Sequence, residues 1–287
     1  KDPTNIMLGI RDGSVEYKTN EAENVVAFVQ QGDLFSYNQT NNELTKVFSF
    51  RSPEGIDIRE NWNQHDIKIV SVDEAGSIDF IVYGYMNRGN HEGEVGTCVY
   101  HYDGLAHTIE EEAFIPSKSS YEVLKAEMGK LLYVNENGIL YLMFEGNVYE
   151  IKLDSLKVEK IVKNLEAGCY ATSYDNQYFS WVDVDSQYST TELSVMNLKT
   201  KEVIKINKGD DQYLRPLGFI GNDFIYGVAN AADVISDAAG NTTFPMHSIV
   251  IMDVTDQTQL KEYTPASGYV DSIAIDDYTI NVNLIAA

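Results

Sequence analysis

The 287-residue chain is poor in proline, cysteine and basic residues, and it has no long apolar run. Six prolines are too few for a proline-rich or collagen-like protein. Two cysteines cannot form a disulfide framework, and Cys98 and Cys169 both stand in apolar runs, so we expect two buried free thiols. No apolar run reaches the roughly 18 residues that a membrane-spanning helix needs, so no membrane insertion is expected.

Basic side chains are the scarcest charged group. The chain has 21 lysines and arginines against 44 aspartates and glutamates, which gives a net charge of -23. Such a surface repels the phosphate backbone of nucleic acids and anionic lipid headgroups. Nucleic acids and anionic membranes are therefore excluded as expected partners, whereas a solvated surface, a bound cation or a basic partner suits this charge.

What the chain does contain is a repeated strand pattern. Apolar runs that follow turns recur roughly every 40 to 60 residues, a spacing typical of repeat architectures. They begin at Val25, Ile78, Ile139, Tyr178, Phe224 and Tyr278. Five of them follow another apolar run and a tight polar turn, and five precede two further strands joined by a polar hairpin. The repeating unit is therefore four antiparallel strands, the size of a propeller blade, and neighbouring blades shield one another from water.

The pattern also predicts which strands and side chains are buried. The first strand of each unit is expected to be the most apolar. In the fourth unit, alternation predicts that Val195 and Val203 face outward while Leu198 and Ile206 pack inward.

One hairpin carries a resemblance to a known family. Its residues are Gly32-Asp33-Leu34-Phe35-Ser36-Tyr37-Asn38 and Glu43-Leu44-Thr45-Lys46, with an echo over residues 195–203. This pattern resembles the blades of TolB-like propellers and of the N-terminal propellers of dipeptidyl peptidases. The resemblance is architectural and covers most of the chain. The usual Ser-Pro-Asp-Gly turn is replaced by VDEAG at 72–76 and NENG at 135–138, and no room remains for a hydrolase domain.

The predicted fold class is all-β, a β-propeller of six four-stranded antiparallel blades in a single domain spanning residues 1–287. Seven blades are the alternative count, and a pair of β-sandwiches is the competing fold. The blades are placed at about 14–50, 67–115, 130–163, 169–207, 214–264 and 269–287. The last unit contains only two strands. The N-terminal segment either completes it and closes the ring or supplies the first strand of the first blade. A helix is expected only in SSYEVLKAEM.

Loop lengths predict the binding surface. The second and third strands are joined by the two-residue hairpins Gln31-Gly32 and Glu145-Gly146 in two blades, but by long loops in three others. Strand parity places these loops and the 51–66 link on one face, and loops on a rigid scaffold are where binding residues concentrate. The predicted ligand-binding residues are Trp62, Arg88, His91, Tyr188, Arg215 and Phe244. The alternative is that the loops are merely tolerated and their aromatics fold back onto the blades.

No metal ligand set is assigned from the sequence, and no cofactor is expected. His91, Glu92 and Glu94 with His101 match no zinc spacing. Acidic loops at 183–192 and 233–241 leave calcium as an alternative, although neither has the spacing of a calcium-binding loop.

No catalytic residue is assigned either. A nucleophile elbow, a catalytic Cys–His pair and a phosphate-binding glycine loop are all missing from the sequence. The acids of the first turn of each blade are interpreted as turn formers rather than as the paired carboxylates of a glycosidase; they are Asp73, Glu74, Asp175, Asp223, Asp276 and Asp277.

The predicted function is therefore a non-catalytic binding module for a protein or carbohydrate ligand. We expect an extracytoplasmic bacterial monomer, either secreted or anchored to the cell surface. A propeller-type glycoside hydrolase and a structural spacer domain of a larger surface protein are the alternatives. The chain begins KDPTN, without a signal-peptide pattern, so we expect either a removed targeting segment or a fragment of a longer protein.

Overall fold

A computed structural model of the protein describes residues 15–51, 64–128, 130–153, 155, 157–276 and 279–286. Contacts between residues divide the chain into two compact units. The first unit contains the first two sheets, the helix and a short part of the third sheet. The second contains the rest of the third sheet and every later strand. Each unit has its own apolar core.

Five four-stranded antiparallel sheets follow one another in the described part of the chain, and in each of them neighbouring strands are consecutive or nearly so. The first sheet contains β1 (Tyr17–Thr19), β2 (Val25–Gln30), β3 (Asp33–Asn38) and β4 (Glu43–Phe48). The second contains β5 (His65–Val72), β6 (Ile78–Tyr85), β7 (Val95–Asp103) and β8 (Thr108–Pro116). Helix α1 (Tyr121–Glu127) follows β8.

The later sheets repeat the same order. The third contains β9 (Leu132–Val134), β10 (Ile139–Phe144), β11 (Asn147–Lys152) and β12 (Lys157–Val162). The fourth contains β13 (Tyr170–Thr172), β14 (Tyr178–Trp181), β15 (Glu192–Asn197) and β16 (Val203–Asn207). The fifth contains β17 (Gln212–Ile220), β18 (Asp223–Asn230), β21 (Ser248–Asp253) and β22 (Thr258–Tyr263), with the small hairpin β19 (Ile235–Ser236) and β20 (Thr242–Thr243) in its long loop. A two-stranded sheet of β23 (Tyr269–Asp276) and β24 (Thr279–Ile285) comes last.

These sheets confirm the predicted fold class, all-β with four-stranded antiparallel blades of the β-propeller type. The blade count and the single domain of residues 1–287 stay predictions. β1 supplies the first strand of the first blade, which was one of the two alternatives for the N-terminal segment. Residues 1–14 lie outside the described part. The expected helix is present as α1. No helix among the described residues has the length and apolar character needed to span a membrane.

One kind of side-chain-to-backbone hydrogen bond recurs in the turns between the first and second strands of the sheets. A polar side chain at the start of the turn accepts a hydrogen bond from a backbone N–H four or five residues later. Asn20 Oδ1 accepts from Val25 N at 2.9 Å, and Asp73 Oδ1 accepts from Ser77 N at 2.7 Å. Likewise Asn135 Oδ1 accepts from Ile139 N at 3.1 Å, and Ser173 Oγ accepts from Tyr178 N at 2.9 Å. The repeated turn chemistry of the sequence thus reflects one local structure, in which short polar side chains satisfy the turn backbone.

In each of the five four-stranded sheets the second strand is more buried than the first, whereas the sequence pattern predicted that the first strand would be the most apolar. All six residues of β10 are buried, whereas the three residues of β9 are only half-buried. The prediction for Val195 was also wrong, because its side chain is fully buried in the core of the second unit. β15 has a buried side with Leu193 and Val195 and a partly exposed side with Glu192 and Ser194, and alternation alone does not identify which side faces the core. Val203, near the sheet edge, is exposed as expected.

Two hairpins are fixed by left-handed backbone at both of their central residues. The φ angles are +53° and +80° at Gln31 and Gly32, and +48° and +66° at Glu145 and Gly146. Positive φ at both positions defines the type I′ turn, whose twist matches that of the strands it joins. At Gly146 a side chain is excluded a second time, since an added Cβ would lie 2.7 Å from Leu165 O.

We predict that Gly146→Ala destabilises the protein more than Gly138→Ala does. The two glycines have nearly the same φ, +66° and +65°, but an added Cβ at Gly138 meets nothing within 4 Å. Gly138→Ala should cost about 1 kcal/mol for the left-handed backbone, and Gly146→Ala should add a further cost of about 1–2 kcal/mol for the clash. Urea unfolding of both variants measures the difference. Equal costs would contradict a close packing of Leu165 O on this turn.

A buried histidine stands at the start of the second sheet. The side chain of His65 packs edge-on against Phe50, with ring centroids 4.6 Å apart, and the residue is 8% exposed. Neither ring nitrogen hydrogen-bonds to a described residue. Burial therefore lowers the pKa of His65, since an imidazolium there would lose its hydration.

We predict that His65 makes the protein less stable as the pH falls. The native imidazole stays neutral, whereas the unfolded chain takes up a proton below about pH 6.5, so this residue should cost up to about 1.4 kcal/mol for each pH unit below that value. Chemical unfolding between pH 5 and pH 8 should show a smaller loss in His65→Phe than in wild type. The matched control is His107→Phe, at an exposed histidine. A parallel loss in wild type and His65→Phe would contradict the prediction.

Candidate functional site

Three of the predicted binding residues lie together in the second unit. The Arg215 guanidinium carbon stands 5.9 Å from the ring centroid of Tyr188. The Tyr188 ring also lies near Phe244, with ring centroids 6.4 Å apart. Arg215 and Tyr188 are half-buried, while Phe244 is 5% exposed and belongs to a local apolar core. Phe244 therefore belongs to the core against which Tyr188 packs and is not itself an exposed contact, as the folded-back alternative predicted for a loop aromatic.

The backbone holds this arrangement in place. Tyr188 lies in the long loop between β14 and β15, and Arg215 lies on β17. The loop is bound at its beginning, where Val182 N donates to Cys169 O at 2.8 Å, and near its end, where Leu214 N donates to Thr190 O at 2.8 Å. The second hydrogen bond holds Thr190 next to Leu214, the strand residue that precedes Arg215. The backbone therefore keeps the Tyr188 ring close to the Arg215 guanidinium.

A glycine makes room for the guanidinium. Gly168 has φ +88°, and a Cβ placed on it would lie 2.9 Å from Arg215 Nη2. An alanine would therefore both strain the backbone and displace the tip of the arginine side chain.

Arg215 has no hydrogen-bond or ion-pair partner among the described residues, and the Tyr188 ring is the group that its charge faces. Cations elsewhere in the same unit do have partners: Lys201 Nζ binds Glu150 Oε1 at 2.7 Å, and Lys205 Nζ binds Glu192 Oε1 at 2.6 Å. In a chain with twice as many acids as bases, a half-buried arginine without a carboxylate is a candidate anion-binding group.

The other predicted residues do not join this group. Arg88 is engaged inside the first unit, where its Nε donates to Phe50 O at 2.8 Å. The His91 ring stacks on Phe114 with centroids 3.7 Å apart, and its Nε2 lies 2.9 Å from Glu111 Oε1. Arg88 therefore connects the loop between β6 and β7 to the segment after β4, and His91 connects the same loop to β8. Trp62 lies outside the described residues, and the expectation that all long loops share one face stays a prediction.

A second cluster, which the sequence did not indicate, lies in the first unit on three neighbouring strands. Asp79 on β6, His101 on β7 and Glu112 on β8 each bring a potential metal-ligating atom within 4.8 Å of the other two. His101 Nδ1 lies 2.7 Å from Asp79 Oδ1, and Ser71 Oγ donates to Asp79 Oδ2 at 2.6 Å. Asp79 and His101 are paired directly across the strands, at the end of the sheet that carries the turn after β5.

A β-bulge brings Glu112 into the cluster. Val99 pairs with Ala113 but Tyr100 pairs with Glu111, so Glu112 is an extra residue in β8. The bulge changes the side to which the strand's residues point. The sequence places His101 near His91, Glu92 and Glu94, whereas the structure brings its side chain to Asp79 and Glu112.

Two carboxylates close to one imidazole shift the pKa values within the cluster. Burial and the negative charge of Asp79 raise the pKa of Glu112 to about 7. Burial alone would lower the pKa of His101, but its hydrogen bond to Asp79 and the charge of that carboxylate raise it. Glu112 Oε2 is buried and accepts no hydrogen bond from any described residue. Negative charge is thus incompletely compensated at this point.

The remaining expectations concern thiols and calcium. Cys98 and Cys169 are both free and buried, as expected, and burial raises the pKa of Cys98 to about 12. In the 233–241 loop, both carboxylate oxygens of Asp237 accept hydrogen bonds from Asn241, at 2.9 Å. Both oxygens are therefore already engaged in hydrogen bonds within the loop. Calcium binding stays an alternative.

No protein-family model matches the chain, and no curated protein is significantly similar to it. Similar solved structures include Hsv2 from Kluyveromyces lactis, with 10% identity, 91% of this chain and 64% of that chain covered, and a TM-score of 0.40. An oligogalacturonate lyase in complex with manganese has 9% identity, coverage of 85% and 62%, and a TM-score of 0.44. Hsv2 from Kluyveromyces marxianus has 10% identity, coverage of 94% and 69%, and a TM-score of 0.38. The chain spans less than two thirds of the first two proteins, and at these TM-scores the likenesses carry no argument about function.

Proposed function

We propose that the protein is a non-catalytic binding module that holds a carboxylate-bearing ligand, a glycan or a protein, at Arg215 and Tyr188. The observation that carries the proposal is the half-buried guanidinium of Arg215, which lies against the Tyr188 ring without a carboxylate partner among the described residues. The guanidinium fork matches a carboxylate in two parallel hydrogen bonds. The aromatic ring beside it offers a flat apolar surface to a sugar ring or a peptide side chain.

The net charge of the protein further limits the class of ligand that is expected to bind. A protein with a net charge of -23 repels polyanions at long range, but screening confines this repulsion to about 8 Å at physiological ionic strength. A ligand with one isolated carboxylate in neutral or basic surroundings escapes most of that repulsion and still gains the arginine contact. An oligosaccharide with a single acidic sugar, or a peptide C-terminus, has this chemistry.

The wider setting of the proposal comes from the sequence. The architectural resemblance to TolB-like and dipeptidyl-peptidase-type propellers supports a role in binding rather than in catalysis, and the acidic, well-solvated composition suits an extracytoplasmic protein. We therefore propose a secreted or surface-anchored module that acts as a monomer. Glycoside hydrolysis and a spacer role stay as alternatives.

We predict that Arg215→Gln weakens the binding of a single-carboxylate ligand at least 10-fold, a loss of about 1.4 kcal/mol or more, because the guanidinium contributes charged hydrogen bonds. The probes are oligosaccharides with one uronic acid or one sialic acid, their neutral counterparts, and peptides with a free or an amidated C-terminus, each measured by calorimetry. Tyr188→Ala should weaken the same ligand, and Gly168→Ala should do so by displacing Arg215.

The matched control is Lys205→Gln, which removes one positive charge from an exposed ion pair in the same unit. It should leave affinity within about twofold, since an exposed pair contributes little. Equal binding of acidic and neutral probes, or equal losses in Arg215→Gln and Lys205→Gln, would contradict the proposal. Preference for the free C-terminus would identify the ligand class as protein, and preference for the acidic sugar would identify it as glycan.

A further inference from the structure

We infer that Asp79, His101 and Glu112 form a binding site for a divalent transition metal ion of the zinc class. The inference concerns the first unit alone and does not depend on ligand binding at Arg215. Three features carry it: the proximity of the three ligating atoms, the fixed orientation of two of the side chains, and the unpaired oxygen of the third.

The geometry needs little change to hold an ion. The three ligating atoms already lie within 4.8 Å of one another. Two ligands bound at about 2.0–2.2 Å to a tetrahedral ion are roughly 3.3–3.5 Å apart. His101 Nδ1 and Asp79 Oδ1 are now 2.7 Å apart and would have to move slightly away from each other. The Glu112 side chain would have to rotate toward them. Both changes reach the required spacing without any shift of the sheet.

The surrounding contacts orient the ligands. Asp79 and His101 occupy paired positions on adjacent strands, so their backbones cannot drift apart. The Ser71 hydroxyl donates to the second oxygen of Asp79 at 2.6 Å and leaves the first oxygen directed at His101. A hydrogen bond of this kind to a ligating carboxylate is a regular part of metal sites.

Glu112 supplies the observation that points to a cation. Its Oε2 is buried without a hydrogen-bond partner among the described residues, and a second carboxylate stands beside it. A buried carboxylate oxygen that accepts nothing is costly, and the cost grows with a neighbouring negative charge. A divalent cation between Glu112 and Asp79 would neutralise both.

The donor set selects the metal. One imidazole nitrogen with two carboxylate oxygens suits zinc and its neighbours in the first transition row, whereas calcium takes six to eight oxygen ligands and magnesium keeps most of its waters. Three protein ligands leave at least one position open, and the His101 side chain is 36% exposed. The site is thus accessible to an exchanging ion.

The test is a titration of the full chain with Zn²⁺ in 0.15 M salt and excess Mg²⁺, which occupies non-specific acidic surface. We expect one zinc ion per chain and a higher Tm with the ion. His101→Gln and Glu112→Gln should weaken zinc binding at least 10-fold and remove most of the Tm increase. Asp79→Asn, which keeps the shape of the side chain, is the second route if another variant does not fold.

A matched control lies on the same β7–β8 hairpin. His107→Gln changes an exposed histidine and should leave zinc affinity within about twofold. Cu²⁺ added in place of Zn²⁺ should show one imidazole nitrogen by pulsed electron paramagnetic resonance, present in His107→Gln and lost in His101→Gln. The inference is overturned if no stoichiometric zinc binding appears above the Mg²⁺ background. It is equally overturned if folded Asp79→Asn and His101→Gln bind zinc as wild type does.

Discussion

The structure depends on the need to cover both faces of a small antiparallel sheet. A four-stranded sheet standing alone exposes too much apolar surface to be stable in water, and stacking one sheet against the next removes it. β10 shows the result most clearly, because all six of its residues are buried, and the core of the second unit includes side chains from three successive sheets. Within each sheet, the strand ladder satisfies the backbone, so the second strand can be apolar throughout.

That constraint explains which features of the fold could be predicted. Local chemistry specified the hairpin at Gln31 and Gly32 and the turns at Asp73 and Asn135, because left-handed backbone and side-chain acceptors involve only neighbouring residues. Side-chain direction was less accessible. The prediction placed Val195 on the partly exposed side of β15, but Val195 lies with Leu193 on the buried side, because the side of a strand that packs inward is decided by other sheets and not by the strand's own sequence.

The two candidate sites differ in the same way. Loop length and composition predict Arg215 and Tyr188 as binding residues. Their contact, however, depends on a backbone hydrogen bond between loop and strand that no local sequence pattern indicates. Phe244 was nominated by the same reasoning and is part of the core. The group of Asp79, His101 and Glu112 was not nominated together. Its members are brought together by strand register and by the bulge at Glu112 in β8, and a shift of one residue would have turned Glu112 away.

The excess of negative charge links the two sites and gives them opposite chemistry. Where a base lacks an acid, as at Arg215, a carboxylate of a ligand can complete the pair. Where two acids share one base, as Glu112 does beside the pair of Asp79 and His101, a cation can supply the missing positive charge. In both places the scaffold leaves a half-buried charge incompletely paired, and this costs stability unless a binding partner repays it. Structural ion pairs such as Lys201 with Glu150 show that the chain pairs its buried charges elsewhere. The unpaired ones are therefore the positions at which binding would add most to stability.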